Sequence, residues 1–356
     1  MDDLRRDVPL APRTTLELGG PAEFFLEARD PAQLNAAIRW ARAEGHAITF
    51  LGGGSNVVVA DEGVHGLVIS IGWRGIEALG DGRLKVQGGE DWDAFVARAV
   101  NDNLAGVECL AGIPGLVGAT PIQNVGAYGQ DVSQCIEEVR VLDLETLEVA
   151  AFSNEACDFA YRDSFFKRNP GRYVVTDVTF ALQPGGPPTI RYAELQRNVD
   201  VDASIAEVRE TILRLRRRKS MVLDPEDPNR RSAGSFFTNP IVQADVAEAL
   251  VRRAHAEGIV SEPNDVPRWP AGTRTKLAAG WLIERAGFEK GTRRENVGLS
   301  SKHALALVHH GGGSTRELLA FADEIRERVR ARFGVVLERE PRLLGNLNET
   351  RPPVSS

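Results

Sequence analysis

The stretch from Gly112 to Gly129, GIPGLVGATPIQNVGAYG, constrains this chain more than any other. Glycine permits positive φ and close approach of the backbone to a bound group, while proline restricts the path between glycines. Five glycines and two prolines fall in the stretch: Gly112, Gly115, Gly118, Gly126, Gly129, Pro114 and Pro121. Gln123, Asn124 and Tyr128 add hydrogen-bonding groups. The pattern predicts a loop that holds a flat, polar-edged ligand against the main chain; an ordinary glycine-rich turn is the alternative.

A second glycine loop lies upstream, in AITFLGGGSNVVVAD. An apolar strand, the tight loop 52–56 and a β-branched strand are predicted there. Such a loop can present several N–H groups to a phosphate, although a plain turn explains the pattern equally well. No G-x-G-x-x-G occurs in the chain, and this loop leads into a strand rather than a helix. A bound nucleotide cofactor would therefore need an architecture other than the Rossmann fold.

Composition narrows the class of protein. A chain of 356 residues with 42% hydrophobic and 26% charged residues is expected to form two or three globular domains. No apolar run reaches the length of a membrane span, and the first residues lack a signal core, so we expect a cytoplasmic protein with no membrane partner. Three widely spaced cysteines predict reduced thiols and no metal site. A net charge of −7 argues against a nucleic-acid partner.

Several elements can be predicted from caps and periodicity. Asp30 and Pro31 begin a helix, and the pairs Ser204/Glu207 and Ser314/Glu317 are expected capping boxes. Further helices are predicted at 91–104, 243–256, 275–286 and 315–333, and a final strand at 335–340. The proline-rich and acidic stretch 221–234 is the candidate domain boundary. It would be a linker or a mobile flap, and the tail at 346–356 is expected to be disordered.

Each of the polar residues, considered by itself, is compatible with more than one role. Ser235 lies between Gly234 and Phe236 without a G-x-S-x-G elbow, so an acyl-transfer nucleophile is not indicated. Arg162, flanked by an aromatic and an acid, fits a structural salt bridge as well as a catalytic role. The basic run at 214–219 suits a helix C-terminus or a phosphate site. His309 and His310 would point to opposite faces of a strand, which disfavours a shared metal.

Together, these motifs resemble the UDP-N-acetylenolpyruvoylglucosamine reductase family, flavoenzymes of peptidoglycan synthesis. The similar motifs run in the family's order over nearly the whole chain: TTLELGGPAEFF, FLGGGSNVVV, GIPGLVGATPIQNVGAYG, YRDSFFK, RYAEL, GSFFTNP, KLAAGWLIERAGFEKG, HALALVHHGG and LEREPRLLG. The central glycine loop and GSFF are the most specific of them. The glutamate motif near the C-terminus is less so.

The resemblance implies an α+β chain with an FAD-binding fold of the vanillyl-alcohol-oxidase type in two subdomains, at 1–72 and 73–225, and a C-terminal α+β substrate domain at 226–345. It implies non-covalent FAD and NADPH as co-substrate. NADPH would reduce the flavin, and the enolpyruvyl ether of a UDP-sugar would then take the hydride. A monomer or weak dimer is expected.

The resemblance also implies the site residues. FAD would contact the two glycine loops and one C-terminal arginine: Gly52, Gly53, Gly54, Ser55, Asn56, Ile113, Pro114, Gly115, Gly118, Ala119, Gln123, Gly126, Tyr128 and Arg342. Catalysis would use Ser235 as proton donor with Arg162 and Glu340. The nucleotide sugar would contact Tyr192, Lys219, Asn239 and Lys276.

Two positions depart from the family pattern. Pro341 stands where a valine is expected, and Thr238 where a lysine often occurs, which puts one phosphate or carboxylate contact in doubt. Two rival functions remain open from sequence. One is a flavin oxidase of the same fold, for which a histidine or cysteine placed for covalent flavin attachment would be the sign; His65 and Cys109 are present, but neither lies in the glycine loops. The other is a non-catalytic protein that senses UDP-sugars.

Overall fold

A computed structural model provides the structure of the chain and describes residues 3–346. The predicted disordered tail at 346–356 therefore lies outside the described residues, apart from Asn346. The helices are α1 (Pro31–Ala43), α2 (Trp92–Asn101), α3 (Phe165–Arg168), α4 (Ala193–Gln196), α5 (Ile205–Arg218), α6 (Ala244–Ala256), α7 (Ala279–Arg285) and α8 (Thr315–Phe333).

The strands are short and spread along the whole chain. They are β1 (Arg5–Pro9), β2 (Pro21–Ala28), β3 (Ile48–Phe50), β4 (Val57–Val59), β5 (Val64–Ile71), β6 (Ile76–Gly80), β7 (Arg83–Gln87), β8 (Leu104–Ala105), β9 (Gly126–Ala127), β10 (Gln130–Asp131), β11 (Ile136–Asp143), β12 (Val149–Ser153), β13 (Tyr173–Ala181), β14 (Gln183–Pro184), β15 (Ile241–Gln243), β16 (Arg268–Ala271), β17 (Arg274–Leu277), β18 (Arg293–Arg294), β19 (Val297–Leu299), β20 (Leu307–His309) and β21 (Arg342–Leu344).

The chain divides into two compact units. Unit 1 consists of Met1–Val8, Ala22–Ser55 and His65–Asp224. One of its sheets has the strand order β1-β2-β5-β3, and another has the order β12-β11-β13-β7-β6. The first packs with α1 around Phe24 and Leu34, and the second packs with α2 and α5 around Trp92 and Phe180, all buried. The core around Phe24 also includes Leu142 and Val174 of the second sheet, so the two sheets pack together within unit 1. The subdomain limits at 72/73 stay a prediction.

Unit 2 is assembled from three separate stretches of chain: Pro9–Pro21, Asn56–Val64 and Pro225–Ser356. Leu16, Leu18 and Val58 are buried in one core with residues of α6, α7 and α8. Strand β21 pairs in parallel with β4, so that Leu344 faces Val59. Segments 9–21 and 56–64, which the prediction placed in the first FAD-binding subdomain, therefore pack in unit 2.

The predicted helix starts are confirmed where a side chain caps them. The Asp30 carboxylate accepts a hydrogen bond from the Gln33 N–H, at 2.8 Å, and starts α1. Reciprocal capping boxes start α5 and α8, at Ser204/Glu207 and Ser314/Glu317. Such boxes satisfy N–H groups that have no partner inside the first helical turn, which is why the sequence signal located these ends reliably.

Two predicted elements are wrong. The helix predicted at 275–286 begins only at Ala279, because 274–277 pair with both β15 and β16 as strand β17. Residues 335–340 do not form the predicted strand. Arg339 makes only a single, isolated β-bridge, to Phe237. Between residues 3 and 346, no helix has the length and apolar character needed to cross a membrane.

Candidate active site and cofactor loops

The two glycine loops of unit 1 pack against each other through their backbones. A Cβ atom on Gly53 would lie 2.7 Å from the Cα of Gly115, a separation that real Cβ contacts do not show. The Ser55 hydroxyl donates to the Pro114 carbonyl at 2.8 Å and ties the loops together. Glycine at 53 is therefore a steric requirement of the packing between the two loops.

Other glycines of the long loop are needed for the same reason. The Gly118 N–H donates to the Gly88 carbonyl at 2.9 Å, and a Cβ on Gly118 would lie 3.0 Å from that oxygen. A Cβ on Gly126 would lie 2.8 Å from the Cβ of Asp131. Closely packed glycine loops let the main chain approach a flat cofactor and offer N–H groups to its phosphates. The residues present thus fit FAD.

The motif GGGSN is divided between the two units. Gly52, Gly53, Gly54 and Ser55 belong to unit 1, while Asn56 belongs to unit 2. Within unit 2, the Asn56 carbonyl accepts from the Arg342 N–H at 3.0 Å, and the Asn56 amide donates to the Glu340 carbonyl at 3.5 Å. Two residues predicted to contact FAD, Asn56 and Arg342, are therefore in direct contact with each other.

Arg162 contacts the long glycine loop. Its guanidinium donates to the carbonyl oxygens of Asn124, at 3.3 Å, and of Gly126. The Ser164 hydroxyl donates to the Ile122 carbonyl, and the Asn124 amide returns a bond to the Ala160 carbonyl at 3.0 Å. The YRDS insertion and the loop thus form one hydrogen-bonded structure.

A salt bridge in this region involves the neighbouring residue Asp163. Asp163 pairs with Arg168. Arg162 itself lies at φ +54°, a left-handed conformation that L-residues adopt only when the surroundings hold them there. Arg162 therefore combines a strained backbone conformation with a side chain that contacts the loop.

Tyr128, Tyr192 and Lys219 form a cluster in unit 1. The two tyrosine rings meet edge to face, with centroids 5.5 Å apart and planes at 85°, and Lys219 Nζ lies 5.3 Å from the Tyr128 ring centre. Lys219 also forms an ion pair with Glu194. Burial raises the pKa of Tyr128 to about 12, so its hydroxyl is neutral near pH 7. The structure thus brings one predicted FAD residue together with two predicted substrate residues.

Sequence reasoning placed Arg216 in the basic run 214–219 but did not predict that it supports the start of the long loop. Its guanidinium donates to the carbonyls of Gly112, at 3.3 Å, and of Met221, at 2.6 Å. Burial lowers its pKa to about 10, which leaves it charged at neutral pH. The available signal was its position four residues after the inward-facing Ile212, which placed it on the apolar face of α5 rather than among solvated cations.

Ser235 and Glu340 are brought close together within unit 2. The Glu340 N–H donates to the Phe236 carbonyl and the Thr238 N–H donates to the Glu338 carbonyl, both at 3.0 Å. Phe236 is fully buried and anchors this short antiparallel pairing. The serine thus immediately precedes the residue that pairs with Glu340, although the two are more than a hundred positions apart in sequence.

Asn239 and Lys276 lie on neighbouring parts of unit 2. The Asn239 side-chain oxygen accepts from the Ala279 N–H at 2.9 Å and so caps α7, whose own N-cap residue makes no side-chain bond. Lys276 lies on β17 opposite Ile241, with Nζ 5.8 Å from the Trp269 ring centre. Asn239 therefore has a structural task besides the substrate contact predicted for it.

The stretch predicted as a linker or flap is anchored in unit 2. Asp227 and Asn229 are buried. The Asn229 oxygen accepts from the Ser301 N–H at 3.0 Å, and Asp227 pairs with Lys302 at 2.9 Å. Buried polar contacts of this kind hold a segment in place. The end of the stretch that leads to Ser235 is thus fixed by side-chain contacts of its own unit.

The cysteines and His65 have environments that disfavour covalent attachment of flavin. Cys109, Cys135 and Cys157 are buried free thiols, and burial raises the pKa of each, which disfavours the reactive thiolate. The His65 side chain is largely exposed and lies 3.9 Å from Glu23. Within residues 3–346, no group of three or more His, Cys, Asp or Glu side chains is arranged to hold a metal ion.

Two protein-family profiles match the chain. Residues 22–149 match the FAD binding domain, and residues 225–344 match the C-terminal domain of UDP-N-acetylenolpyruvoylglucosamine reductase. The second match begins next to the unit boundary at Asp224/Pro225. Together they confirm the fold class predicted from sequence, an FAD-binding part followed by a C-terminal domain.

Similar proteins carry the same name over their full length. The chain is 49% identical to a UDP-N-acetylenolpyruvoylglucosamine reductase of Thermobifida fusca, covering 96% of this chain and 98% of that protein. It is also 49% identical to the reductase of Saccharopolyspora erythraea, covering 94% of each. The crystal structure of the reductase MurB from Thermus caldophilus is similar with a TM-score of 0.66 and 25% identity, over 96% of this chain and 99% of that one.

Proposed function

The chain belongs to the UDP-N-acetylenolpyruvoylglucosamine reductase family, FAD-dependent oxidoreductases, and from that premise we propose the reaction it performs. It uses NADPH to reduce UDP-N-acetylglucosamine enolpyruvate to UDP-N-acetylmuramate, in the cytoplasm. The observation that carries the proposal is an identity of 49% over nearly the full length, combined with two glycine loops that pack together too closely to admit a side chain at Gly53. Bound FAD supplies the hydride that reduces the enolpyruvyl double bond.

We assign the proton to Ser235. When a hydride adds to the vinyl carbon distal from the ether oxygen, negative charge builds on the carbon that bears the carboxylate, and that carbon must take up a proton. The Ser235 hydroxyl donates it, and the serine recovers a proton from solvent. A serine is a weak acid in water, so its donation depends on positioning and on neighbours that stabilise the alkoxide. Backbone pairing with 338–340 supplies the positioning.

Two charged residues support this step. The Arg162 guanidinium balances the charge that develops on the substrate carboxylate, since preorganised cations stabilise such charge best where water is excluded. Its contacts with the carbonyls of Asn124 and Gly126 hold it in place without substrate. Glu340, next to Ser235 in the paired backbone, assists the proton transfer. The departures Thr238 and Pro341 leave these three residues unchanged.

The nucleotide sugar is assigned to the remaining predicted residues. Lys219 pairs with the diphosphate, and Tyr192 covers it, in the cluster built on Tyr128. Asn239 and Lys276 of unit 2 contact the sugar or the diphosphate. Lysine suits this role because it offers a compact charge with three donors on a flexible stem.

An anaerobic half-reaction tests the function. The protein is reduced with NADPH, freed of excess nucleotide and mixed with UDP-N-acetylglucosamine enolpyruvate while the visible absorbance of oxidised flavin is followed. Return of the absorbance without oxygen supports the reductase, whereas return only after oxygen is admitted would indicate a flavin oxidase. Binding of the UDP-sugar without any flavin oxidation would indicate a sensor.

The serine assignment is tested in the same experiment. Ser235→Ala is expected to slow flavin reoxidation by the substrate about 10²- to 10⁴-fold, the usual contribution of a general acid, while reduction by NADPH stays normal. Ser232→Ala is the matched control, since Ser232 lies three residues away in the same segment. An unchanged reoxidation rate in Ser235→Ala would remove the serine from the mechanism.

A further inference from the structure

Glu108 is a fully buried carboxylate that neither the motifs nor the assigned chemistry explain. It lies at the start of the 3-10 turn Glu108–Leu110, just before the long glycine loop. Its partners among residues 3–346 are N–H groups rather than a cation. Burying an ionisable side chain costs free energy unless hydrogen bonds replace the lost water, so such a residue needs an explanation.

Three N–H groups from three segments converge on this carboxylate. One oxygen accepts from the Gly106 N–H at 2.7 Å. The other accepts from the Thr189 N–H at 2.8 Å and from the Gln130 side-chain amide at 3.1 Å. Gly106 precedes the long loop, Gln130 follows it, and Thr189 lies in the connection that leads into α4. A single side chain thus joins both ends of the loop to a third segment.

Gln130 and Cys109 complete the network. The Gln130 amide also donates to the Thr189 hydroxyl at 3.2 Å, and its oxygen accepts from the Cys109 N–H at 2.9 Å. The Cys109 thiol donates to the Thr189 carbonyl at 3.1 Å. Thr189 is therefore held through its N–H, its carbonyl and its hydroxyl. Such complete satisfaction of a buried network gives one defined geometry.

Thr189 lies three residues before Tyr192, and the segment between them lies on the end of the glycine loop. A Cβ on Gly129 would lie 3.6 Å from the Cβ of Arg191 and 3.6 Å from the Tyr192 backbone nitrogen. The rings of Tyr192 and Tyr128 are in contact. Tyr192 is 46% exposed, so its own packing does little to fix its position.

We propose that Glu108 is a positioning residue for the nucleotide-sugar subsite: its carboxylate fixes the 189–192 segment on the glycine loop and thereby places Tyr192 beside Tyr128. The role rests on the proposed function, because Tyr192 is assigned to the UDP portion there. Glu108 itself is buried and touches neither substrate nor flavin; it acts through Thr189.

The kinetic consequence follows from where the segment lies. Tyr192 contacts the UDP portion of the substrate in both the ground state and the transition state, so misplacing it weakens binding without slowing hydride or proton transfer. Glu108→Gln keeps the size of the side chain but puts a donor where one of the three N–H groups needs an acceptor. The variant therefore raises KM for the UDP substrate about tenfold, the factor for one weakened hydrogen bond, and leaves kcat nearly unchanged.

The control variant is Asp143→Asn, in the same unit. Asp143 is also a buried carboxylate and accepts from the Glu145 N–H at 2.9 Å, but none of its partners belongs to the loop or to 189–192. Both variants are expected to lower the melting temperature, and only Glu108→Gln is expected to raise KM. Equal melting losses with an unchanged KM in both would show that Glu108 is merely structural and overturn the proposal.

A second variant and a second readout keep the test decisive. Thr189→Val removes the hydroxyl that Gln130 contacts but keeps the N–H, so it raises KM in the same direction by a smaller factor; an unchanged KM in a folded Thr189→Val also counts against the proposal. The dissociation constant of UDP, followed by the change in flavin absorbance of the oxidised holoprotein, should rise in parallel.

An inactive wild-type protein would refute the proposed reaction, whereas an active wild type with unaltered variants would refute only the role of Glu108.

Discussion

At the scale of single residues, the packing of the two glycine loops depends on positions that carry no side chain. Gly53 and Gly115 allow two backbones to come closer than any side chain would permit, and the Ser55 hydroxyl joins them by one hydrogen bond. Arg162 shows the complementary case, in which a polar side chain on a left-handed backbone donates hydrogen bonds to the carbonyls of the loop. Residue identity at these positions is dictated by space and by hydrogen bonding together.

Gly53→Ala is expected to destabilise the protein by about 1–3 kcal/mol, as overpacking of a tight site does, and to weaken retention of FAD. The added Cβ would meet the Cα of Gly115, which cannot rotate away. Thermal unfolding and flavin release on ultrafiltration measure the two effects. Gly280→Ala is the control, because its Cβ would lie 3.7 Å from Leu305 in ordinary contact. A Gly53→Ala protein with wild-type stability and flavin retention would contradict the steric argument.

At the scale of elements, most helices follow from local signals while short strands follow from their partners. Capping boxes and apolar stripes located α5 and α8. Residues 274–277 follow a helical pattern in the sequence but form strand β17, because they pair with β15 on one side and β16 on the other. Strand β20 is held partly by a side chain at its end: His309 Nδ1 lies 3.1 Å from the Leu16 carbonyl, and its Nε2 accepts from the Gly313 N–H at 3.1 Å.

The histidine at the end of β20 predicts a pH dependence of stability. Burial lowers the pKa of His309 below its ordinary value of 6.5, against smaller opposing effects of the Leu16 carbonyl and of Glu17 and Glu317. The unfolded chain then binds more protons than the folded chain between the folded pKa and 6.5. The contribution is complete above pH 6.5 and is lost as pH falls toward the folded pKa, by about 1.4 kcal/mol for each unit of pKa difference.

Urea unfolding between pH 5 and 8 measures this effect. His309→Gln should flatten the pH dependence in that range. The slope that remains comes in part from His310, whose pKa burial also lowers. An identical slope in the wild type and in His309→Gln would show that the ring does not titrate differently on folding.

At the scale of the whole molecule, unit 2 cannot be assigned to one stretch of sequence. Leu16, Leu18 and Val58 are at most 4% exposed and belong to the core shared by α6, α7 and α8. Glu17 pairs with Arg230 at 3.2 Å and also with Arg231. The N-terminal segments therefore complete the core and satisfy charges on the stretch that leads to Ser235.

A fragment of residues 225–356 is accordingly expected not to fold alone. It would expose the apolar surface that Leu16, Leu18 and Val58 cover and leave β21 without its partner β4. Burial of each such side chain is worth about 1.5–3 kcal/mol, which together is comparable with the net stability of a small domain. Circular dichroism during heating should show no cooperative transition. A sharp transition like that of the intact chain would mean that the C-terminal stretch forms a complete core.

The sequence by itself determined the family, the FAD-binding architecture, the two glycine loops and the capped helices. Those features depend on local chemistry: glycine where backbones approach, an oxygen where N–H groups lack partners, and apolar residues at helical spacing. It also predicted reduced thiols, and the three cysteines are free in the structure, where the fold in addition buries them.

Only the tertiary structure decided which distant residues meet. The contact of segments 9–21 and 56–64 with the C-terminal core, the pairing that brings Ser235 next to Glu340, and the convergence of three segments on Glu108 all join residues far apart in the chain. The sequence does not distinguish a buried glutamate from an exposed one. Because their difference lies in the N–H groups that other segments bring to them, the fold alone determines it.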